Sequence, residues 1–330
     1  MRLIDNFNRI HDYVRISLID KCNLNCIYCN PVNSNKHYSH NSELLTAEEI
    51  IRLSNIFVKY LEVKKIRFTG GEPLLRKDII PMLKNISELK KDYPLTLGIT
   101  TNGTELHVNL EVLKASGIDN LNISLDSLRE QKFIAITGKK CFHQILSAIH
   151  RAEKLQFGKV KVNAVVIKNL NDDELIDFVD YFKNSDIELR FIEFMPFGNN
   201  DWEKNGFISA DEMKEIIQTK YQLIRSNDEN KIAENYFVSG HSLKIGFISS
   251  ISNHFCDSCN RLRITATGKI KSCLFSPVET SLKEHLSNPS IQDEFIAKII
   301  SNTLSKKLEK HSEVEELIKL HHNNMLSIGG

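Results

Sequence analysis

With 330 residues the chain can bury a large core, as one domain or as one domain with an extension. Its 41% hydrophobic and 26% charged residues are ordinary for a soluble globular protein and exclude a fibrous or disordered chain. A formal net charge of +1 gives no bulk affinity for nucleic acid or for an anionic membrane, so any anion site has to come from local clustering.

The first residues interleave Arg2, Asp5, Arg9 and Asp12 with apolar side chains. They contain no apolar run fit for a signal peptide, and no later stretch is long enough to span a membrane. A cytoplasmic location is the expectation. Strands are expected at Tyr13–Leu18, Lys65–Thr69, Leu95–Thr100, Asn120–Leu125, Val160–Val166 and Glu188–Phe194. Helices fall between them. One opens at Thr46, where T-A-E-E fits a capping box with Glu49 reaching back. Others run over about Glu105–Ser116, stopped by Gly117, and over about Cys141–Leu155 and Asp172–Lys183. Strands alternating with helical crossovers imply a parallel sheet in an α/β fold. Six such units fall short of an eightfold barrel, so the expected form is a partial (βα)6 TIM-like barrel. Asn30–Ser42 is a long polar loop, a feature that often carries function. After Phe194 the alternation stops. A loop over 197–207, a helix over Ala210–Lys220, strands near Lys244–Ile248 and Leu262–Ile264, a hairpin turn at Thr267-Gly268 and a helical stretch over 291–322 follow. The chain divides at this break into residues 1–196 and a C-terminal extension, residues 197–330.

Seven cysteines make an odd count at metal-like spacing, which argues for metal and against disulfides. Six of them form two triads: Cys22, Cys26 and Cys29, then Cys256, Cys259 and Cys273. Three thiolates on a metal that takes four ligands leave one coordinate open for a small molecule. A zinc knuckle is the plain alternative for the first triad. Structural zinc with His254 as fourth ligand is the alternative for the second. Arg261 and Arg263 follow the second triad two residues apart, so on a strand they point to one side, and two guanidiniums beside a metal suit a phosphate. Arg15, Arg67, Lys161 and Arg190 each sit inside an apolar strand. A cation there is costly unless it faces a wet cavity or a partner, and four of them suggest an anionic ligand in a barrel lumen.

The run C-N-L-N-C-I-Y-C (Cys22–Cys29) just after a strand resembles the signature of the radical S-adenosylmethionine (SAM) superfamily. So do G-G-E-P after the second strand (Gly70–Pro73) and the fourth strand with Ser124. The resemblance extends over nearly the whole chain to the GTP-cyclising family of molybdenum cofactor biosynthesis. It runs through R-I-H-D-Y-V-R-I-S-L, T-T-N-G (Thr100–Gly103), C-D-S-C-N-R-L-R and the closing Gly329-Gly330. It implies two 4Fe-4S clusters, one on each triad, with Tyr28, Gly71, Ser124 and Met195 at SAM. It implies Arg15, Arg67, Thr100, Lys161, Arg261 and Arg263 at GTP, with Arg190 near the triphosphate. It also implies that the open iron of the second cluster meets the guanine and that the Gly329-Gly330 tail enters the site. Asn30 and Asn8 depart from the family, which often has Met at the first position and usually Gly at the second.

The reaction so implied takes hydrogen from ribose C3′ and closes a C3′–C8 bond, with no side chain as nucleophile. The implied partners are an electron donor and the next pathway enzyme, cyclic pyranopterin monophosphate synthase. A homodimer is compatible with the sequence; nucleic acid and membrane are not expected partners. Two rival readings use the same residues: a peptide-modifying radical SAM enzyme with an auxiliary cluster, and a zinc-stabilised binding protein without catalysis. Cys141 reads as a packed free thiol, and His321-His322 as solvated.

Overall fold

The alternation of side chains along β1 (Tyr13–Ser17) sets the plan of the molecule. Val14 and Ile16 are fully buried on one face, while Tyr13 and Arg15 line a central cavity on the other. The structure, a computed structural model, describes residues 1–29, 38–197, 200, 202, 206–227, 232–319 and 325–329. Asn30, His321, His322 and Gly330 lie outside the described residues.

After β1 come α1 (Ala47–Asn55), β2 (Lys65–Thr69), α2 (Ile79–Ser87), β3 (Thr96–Thr101), α3 (Leu106–Ala115) and β4 (Asn120–Ser124). They are followed by α4 (Glu130–Thr137), α5 (Phe142–Lys154), β5 (Lys159–Val166), α6 (Leu175–Phe182) and β6 (Glu188–Glu193). The capping box at Thr46 is present: its hydroxyl accepts from Glu49 N at 3.2 Å, and the Glu49 carboxylate accepts from Thr46 N at 2.8 Å. The six strands pair in parallel, each with the next. This is the partial TIM-like barrel expected from the sequence. Its apolar core, with Ile66, Phe68, Leu97, Ile99, Leu121, Val162 and Leu189, lies between the sheet and the helices. The inner face is polar instead.

The remaining elements are α7 (Ala210–Gln218), β7 (Leu223–Arg225), β8 (Glu234–Val238), β9 (Lys244–Ile248), β10 (Arg261–Ile264), β11 (Lys269–Lys271) and β12 (Thr280–Ser281). They end with α8 (Lys283–Ser287), α9 (Asp293–Leu304), α10 (Val314–Lys319) and α11 (Met325–Ile328). The strands of this part join the same sheet at both edges, in the order β12-β11-β10-β1-β2-β3-β4-β5-β6-β9-β8-β7. Two of them, β10 beside β1 and β9 beside β6, are parallel to their neighbours. The hairpin turn at Thr267-Gly268 joins β10 to β11, with Gly268 N donating to Thr265 O at 3.0 Å.

The stretch 291–322 is not continuously helical as the sequence suggested. The chain leaves the helix after Leu304 and turns helical again at Val314. Its carbonyls in between serve distant donors: Asn6 Nδ2 reaches Ser305 O at 2.7 Å, and Arg9 reaches Leu308 O at 2.8 Å and Glu309 O at 2.6 Å. No helix among the described residues is long and apolar enough to cross a membrane.

Candidate active site in the barrel lumen

Parallel register turns the strand-borne cations into rows. Arg263 on β10, Arg15 on β1, Arg67 on β2 and Gly98 on β3 are successive partners, so the three guanidiniums leave one face side by side. At a strand spacing of roughly 4.8 Å and an effective dielectric of about 20, each like-charge pair costs on the order of 3 kcal/mol. Such a row needs an anion. A side chain at Gly98 would put its Cβ 2.8 Å from Arg67 Nη2, so the glycine makes room for the guanidinium. Arg67 donates to the Tyr13 hydroxyl at 3.0 Å and to Ile99 O at 2.9 Å. Burial and the charges of Arg261 and Arg67 push Arg15 down to about 10, while Tyr13 pulls it up. Burial raises Tyr13, but the charges of Arg67, Arg15, Lys65 and Arg261 bring it down to about 6. Tyr13 thus gives the row an internal hydrogen-bond acceptor. The sequence reading passed over it, although it stands two residues before Arg15 and so on the same face.

A second row runs Thr100, Asn122, Lys161, Glu188 and Lys244 across β3, β4, β5, β6 and β9. Lys161 forms a close ion pair with Glu188, and Arg190 Nε donates to the same carboxylate at 2.6 Å. Burial raises Glu188, but Arg190 and Lys161 hold it well below the usual carboxylate range. Burial and Arg190 depress Lys161 against the pull of Glu188. Thr100 Oγ1, Asn122 Oδ1 and Asn163 Oδ1 are buried with no hydrogen-bond partner among the described residues. Buried polar atoms left without partners mark a place where a ligand or water belongs.

These rows line one cavity of about 720 Å3, within the usual range of roughly 300–1,000 Å3 for small-molecule sites. Both cysteine triads line it too, as do Tyr28, Gly71, Ser124, Met195 and Arg190. The first triad sits after the C-terminal end of β1, where barrel enzymes carry their chemistry. Leu24 N and Asn102 Nδ2 point at Cys22 Sγ from 3.4 and 3.6 Å. Tyr28 donates to Asp126 at 2.7 Å. Burial, then Cys29, Asp126 and Cys22, raise the Cys26 thiol, and burial, Cys22 and Asp126 raise Cys29. Crowded buried thiols of this kind ionise on a polynuclear cation, so the donor set fits a 4Fe-4S cluster. Gly71 approaches the protein itself: a Cβ there would stand 2.3 Å from Lys21 O, and its N–H donates to Ile19 O at 2.7 Å. The G-G-E-P turn therefore buttresses the segment that enters the first triad.

Met195 packs in a small apolar cluster with Phe197, Phe275, Leu317 and Cys273, which links the end of β6 to the second triad. Asn200, not singled out in the sequence, donates to Tyr28 O at 3.1 Å and Met195 O at 2.9 Å and ties the first triad's loop to that cluster. Around the second triad, burial raises Cys259, but Arg261 and Lys307 overcome it and bring the thiol down to about 7. His254 lines the cavity edge-on to His311, with ring centroids 5.3 Å apart. Among the described residues no three His, Cys, Asp or Glu side chains converge to hold a single metal ion. Gly329 lies between the ends of β1 and β2, where a Cβ would be 2.5 Å from Thr69 Oγ1, and its φ is +79°. Its carbonyl accepts from Arg263 Nη1 at 2.8 Å. Asn8 has φ +62°, a left-handed conformation that glycine adopts without strain and asparagine tolerates.

The radical SAM superfamily matches residues 16–182, and the family described as Molybdenum Cofactor Synthesis C matches residues 187–313. A GTP 3′,8-cyclase of Thermodesulfovibrio yellowstonii is 41% identical, with 99% of each chain covered. The chain belongs to the GTP 3′,8-cyclase family of the radical SAM superfamily. The mitochondrial GTP 3′,8-cyclase of Arabidopsis thaliana is 40% identical over 99% of this chain and 83% of that protein. Molybdenum cofactor biosynthesis protein 1 of Dictyostelium discoideum is 42% identical over 99% of this chain and 52% of that protein, so the chain spans about half its length. Among solved structures, Streptococcus suis SuiB bound to S-adenosylmethionine superposes with a TM-score of 0.63 at 16% identity. That match covers 89% of this chain and 69% of the other, and it shows the fold alone.

Proposed function

We propose that the chain converts GTP to 3′,8-cyclo-7,8-dihydroguanosine 5′-triphosphate, the first step of molybdenum cofactor biosynthesis. One observation carries this reading: both cysteine triads and the aligned cation rows line a single cavity. Residues 1–196 supply the SAM half of that cavity, and residues 197–330 add the second triad and the tail. Cys22, Cys26 and Cys29 would hold a 4Fe-4S cluster, which with SAM supplies a one-electron cleavage to a 5′-deoxyadenosyl radical. Cys256, Cys259 and Cys273 would hold a second cluster at the guanine.

The rest of the work falls to side chains that position and neutralise. Tyr28, Gly71, Ser124 and Met195 flank SAM. Arg15, Arg67, Arg261 and Arg263 take the triphosphate, joined by Lys161 and Arg190, and Thr100 offers its unpartnered hydroxyl. The apolar cluster of Phe197, Phe275 and Leu317 keeps water from the second triad's side. GTP loses hydrogen at C3′, gains the C3′–C8 bond and takes one electron and one proton at N7, so the product is an isomer of GTP. The electron comes from an external donor in a reducing cytoplasm, and the next pathway enzyme receives the product.

Anaerobically reconstituted protein given SAM, GTP deuterated at C3′ and a reductant tests this. Deuterium should appear in 5′-deoxyadenosine, together with a new isomer of GTP resolved by liquid chromatography and mass spectrometry. Unlabelled 5′-deoxyadenosine beside intact GTP would overturn the substrate.

A further inference from the structure

The segment that leaves α9 brings a lysine to the second triad from 48 residues away in sequence. Lys307 is only 5% exposed. Its Nζ lies 2.9 Å from His11 Nε2, 3.3 Å from Arg261 O and 3.6 Å from Cys259 Sγ. The state of His11 follows from its neighbours. Its Nδ1 is 2.9 Å from the Arg9 carbonyl, which can only accept, so Nδ1 carries the ring proton and Nε2 presents a lone pair. Burial and the charge of Lys307 push His11 down to about 4, so it stays neutral and accepts. An ammonium has three N–H donors. A neutral imidazole and a carbonyl take two of them, and the third faces the Cys259 sulfur.

The same region is fastened at its other end. Arg9 Nε pairs with Asp5 at 2.6 Å, and Arg9 Nη1 donates to Cys256 O at 2.7 Å. A buried cation thus stands over one cysteine of the loop while a second one grips the backbone of the other. Outer-shell donors to a cluster's sulfurs orient the ligand and set the potential, because positive charge stabilises the reduced, more negative state.

We propose that Lys307 is a positioning residue for the second cluster, donating to the Cys259 thiolate and raising the reduction potential of the group bound there. This rests on the reading that the second triad holds a 4Fe-4S cluster. A lysine that merely pinned the N-terminal loop would leave the potential where it was.

The test uses the full chain with Cys22, Cys26 and Cys29 replaced by alanine, so that only the second triad can load. After anaerobic reconstitution with iron and sulfide, metal and sulfide are assayed and the cluster is titrated potentiometrically, followed by electron paramagnetic resonance. Lys307→Met should shift the midpoint to more negative potential, and Lys307→Arg should stay near the background. Loss of the cluster from both Lys307→Met and Lys307→Gln, with retention in Lys307→Arg, also supports the role. An unshifted midpoint in Lys307→Met overturns the proposal, as does an equal shift or equal cluster loss in Lys307→Met and Lys307→Arg. Absence of iron and sulfide from the background protein itself overturns the cluster reading of the second triad, and the proposal with it.

Discussion

The two cysteine triads share one cavity, but Cys26 and Cys29 of the first have different neighbours from Cys259 of the second. Around Cys26 and Cys29 the nearby groups are other thiols, Asp126 and the Tyr28 ring, and the thiols are pushed up. Around Cys259 they are Arg261 and Lys307, and the thiol comes down to about 7. Burial acts in the same direction at both places, so the difference is one of neighbouring charge. The first environment disfavours added negative charge. The lowering at Cys259 does not carry over to Cys256 of the same triad, whose thiol is raised by burial, Cys273 and Cys259. The cysteine spacings, C-x3-C-x2-C and C-x2-C-x13-C, do not reveal this difference in electrostatics.

The largest effect should come from the first triad. Alanine at Cys22, Cys26 or Cys29 should abolish 5′-deoxyadenosine formation and lower iron from about eight to about four per chain. Metal assay and chromatography check both; stoichiometric zinc without sulfide would erase the comparison. Next comes the tail. Gly329 sits where a Cβ would meet Thr69 Oγ1 at 2.5 Å, and it accepts from Arg263. Deleting Gly329-Gly330 should suppress cyclisation while iron content and SAM binding survive. Full activity in the truncated chain would return the tail to a frayed end.

Smaller losses are expected in the cation rows. Arg261→Ala or Arg263→Ala should weaken GTP binding by about 1.5–3 kcal/mol, roughly ten- to a hundredfold, in calorimetry. The first cluster's iron should be unchanged. The smallest effect concerns pH. Burial and Arg190 depress Lys161 from 10.5 to about 7, against Glu188. Its charge is lost as pH rises through that value, so GTP affinity should fall between about pH 7 and 9. Stability should move the other way, since the unfolded chain binds more protons on Lys161 in that window. Lys161→Met should flatten the affinity profile; an unchanged slope would remove Lys161 from the phosphate site.

Much of the barrel was legible because its inputs are local. Hydrophobic periodicity located the six strands to within a residue or so of their observed ends, and the capping box at Thr46 is present as read. Cysteine spacing is local too. Cations inside apolar strands pointed to a lumen, and register then placed Arg15, Arg67 and Arg263 in one row. Glu188 and Tyr13 could have been found by the same reasoning, since each stands two residues before an arginine on one strand face. Lys307, Arg9 and Asn200 could not, because they act across sequence separations of 48, 247 and 172 residues. The break after Leu304 was hidden for the same reason: it exposes carbonyls to Arg9, some 300 residues away.

The division of labour between the triads is tested most directly by replacing Cys256, Cys259 and Cys273 with alanine. The variant is given SAM, a reductant and GTP deuterated at C3′, and both products are measured in one run. The expected result is 5′-deoxyadenosine that carries little deuterium, no cyclised isomer of GTP, and iron retained at the first triad. Cyclised product with full deuterium transfer from that variant would contradict the account.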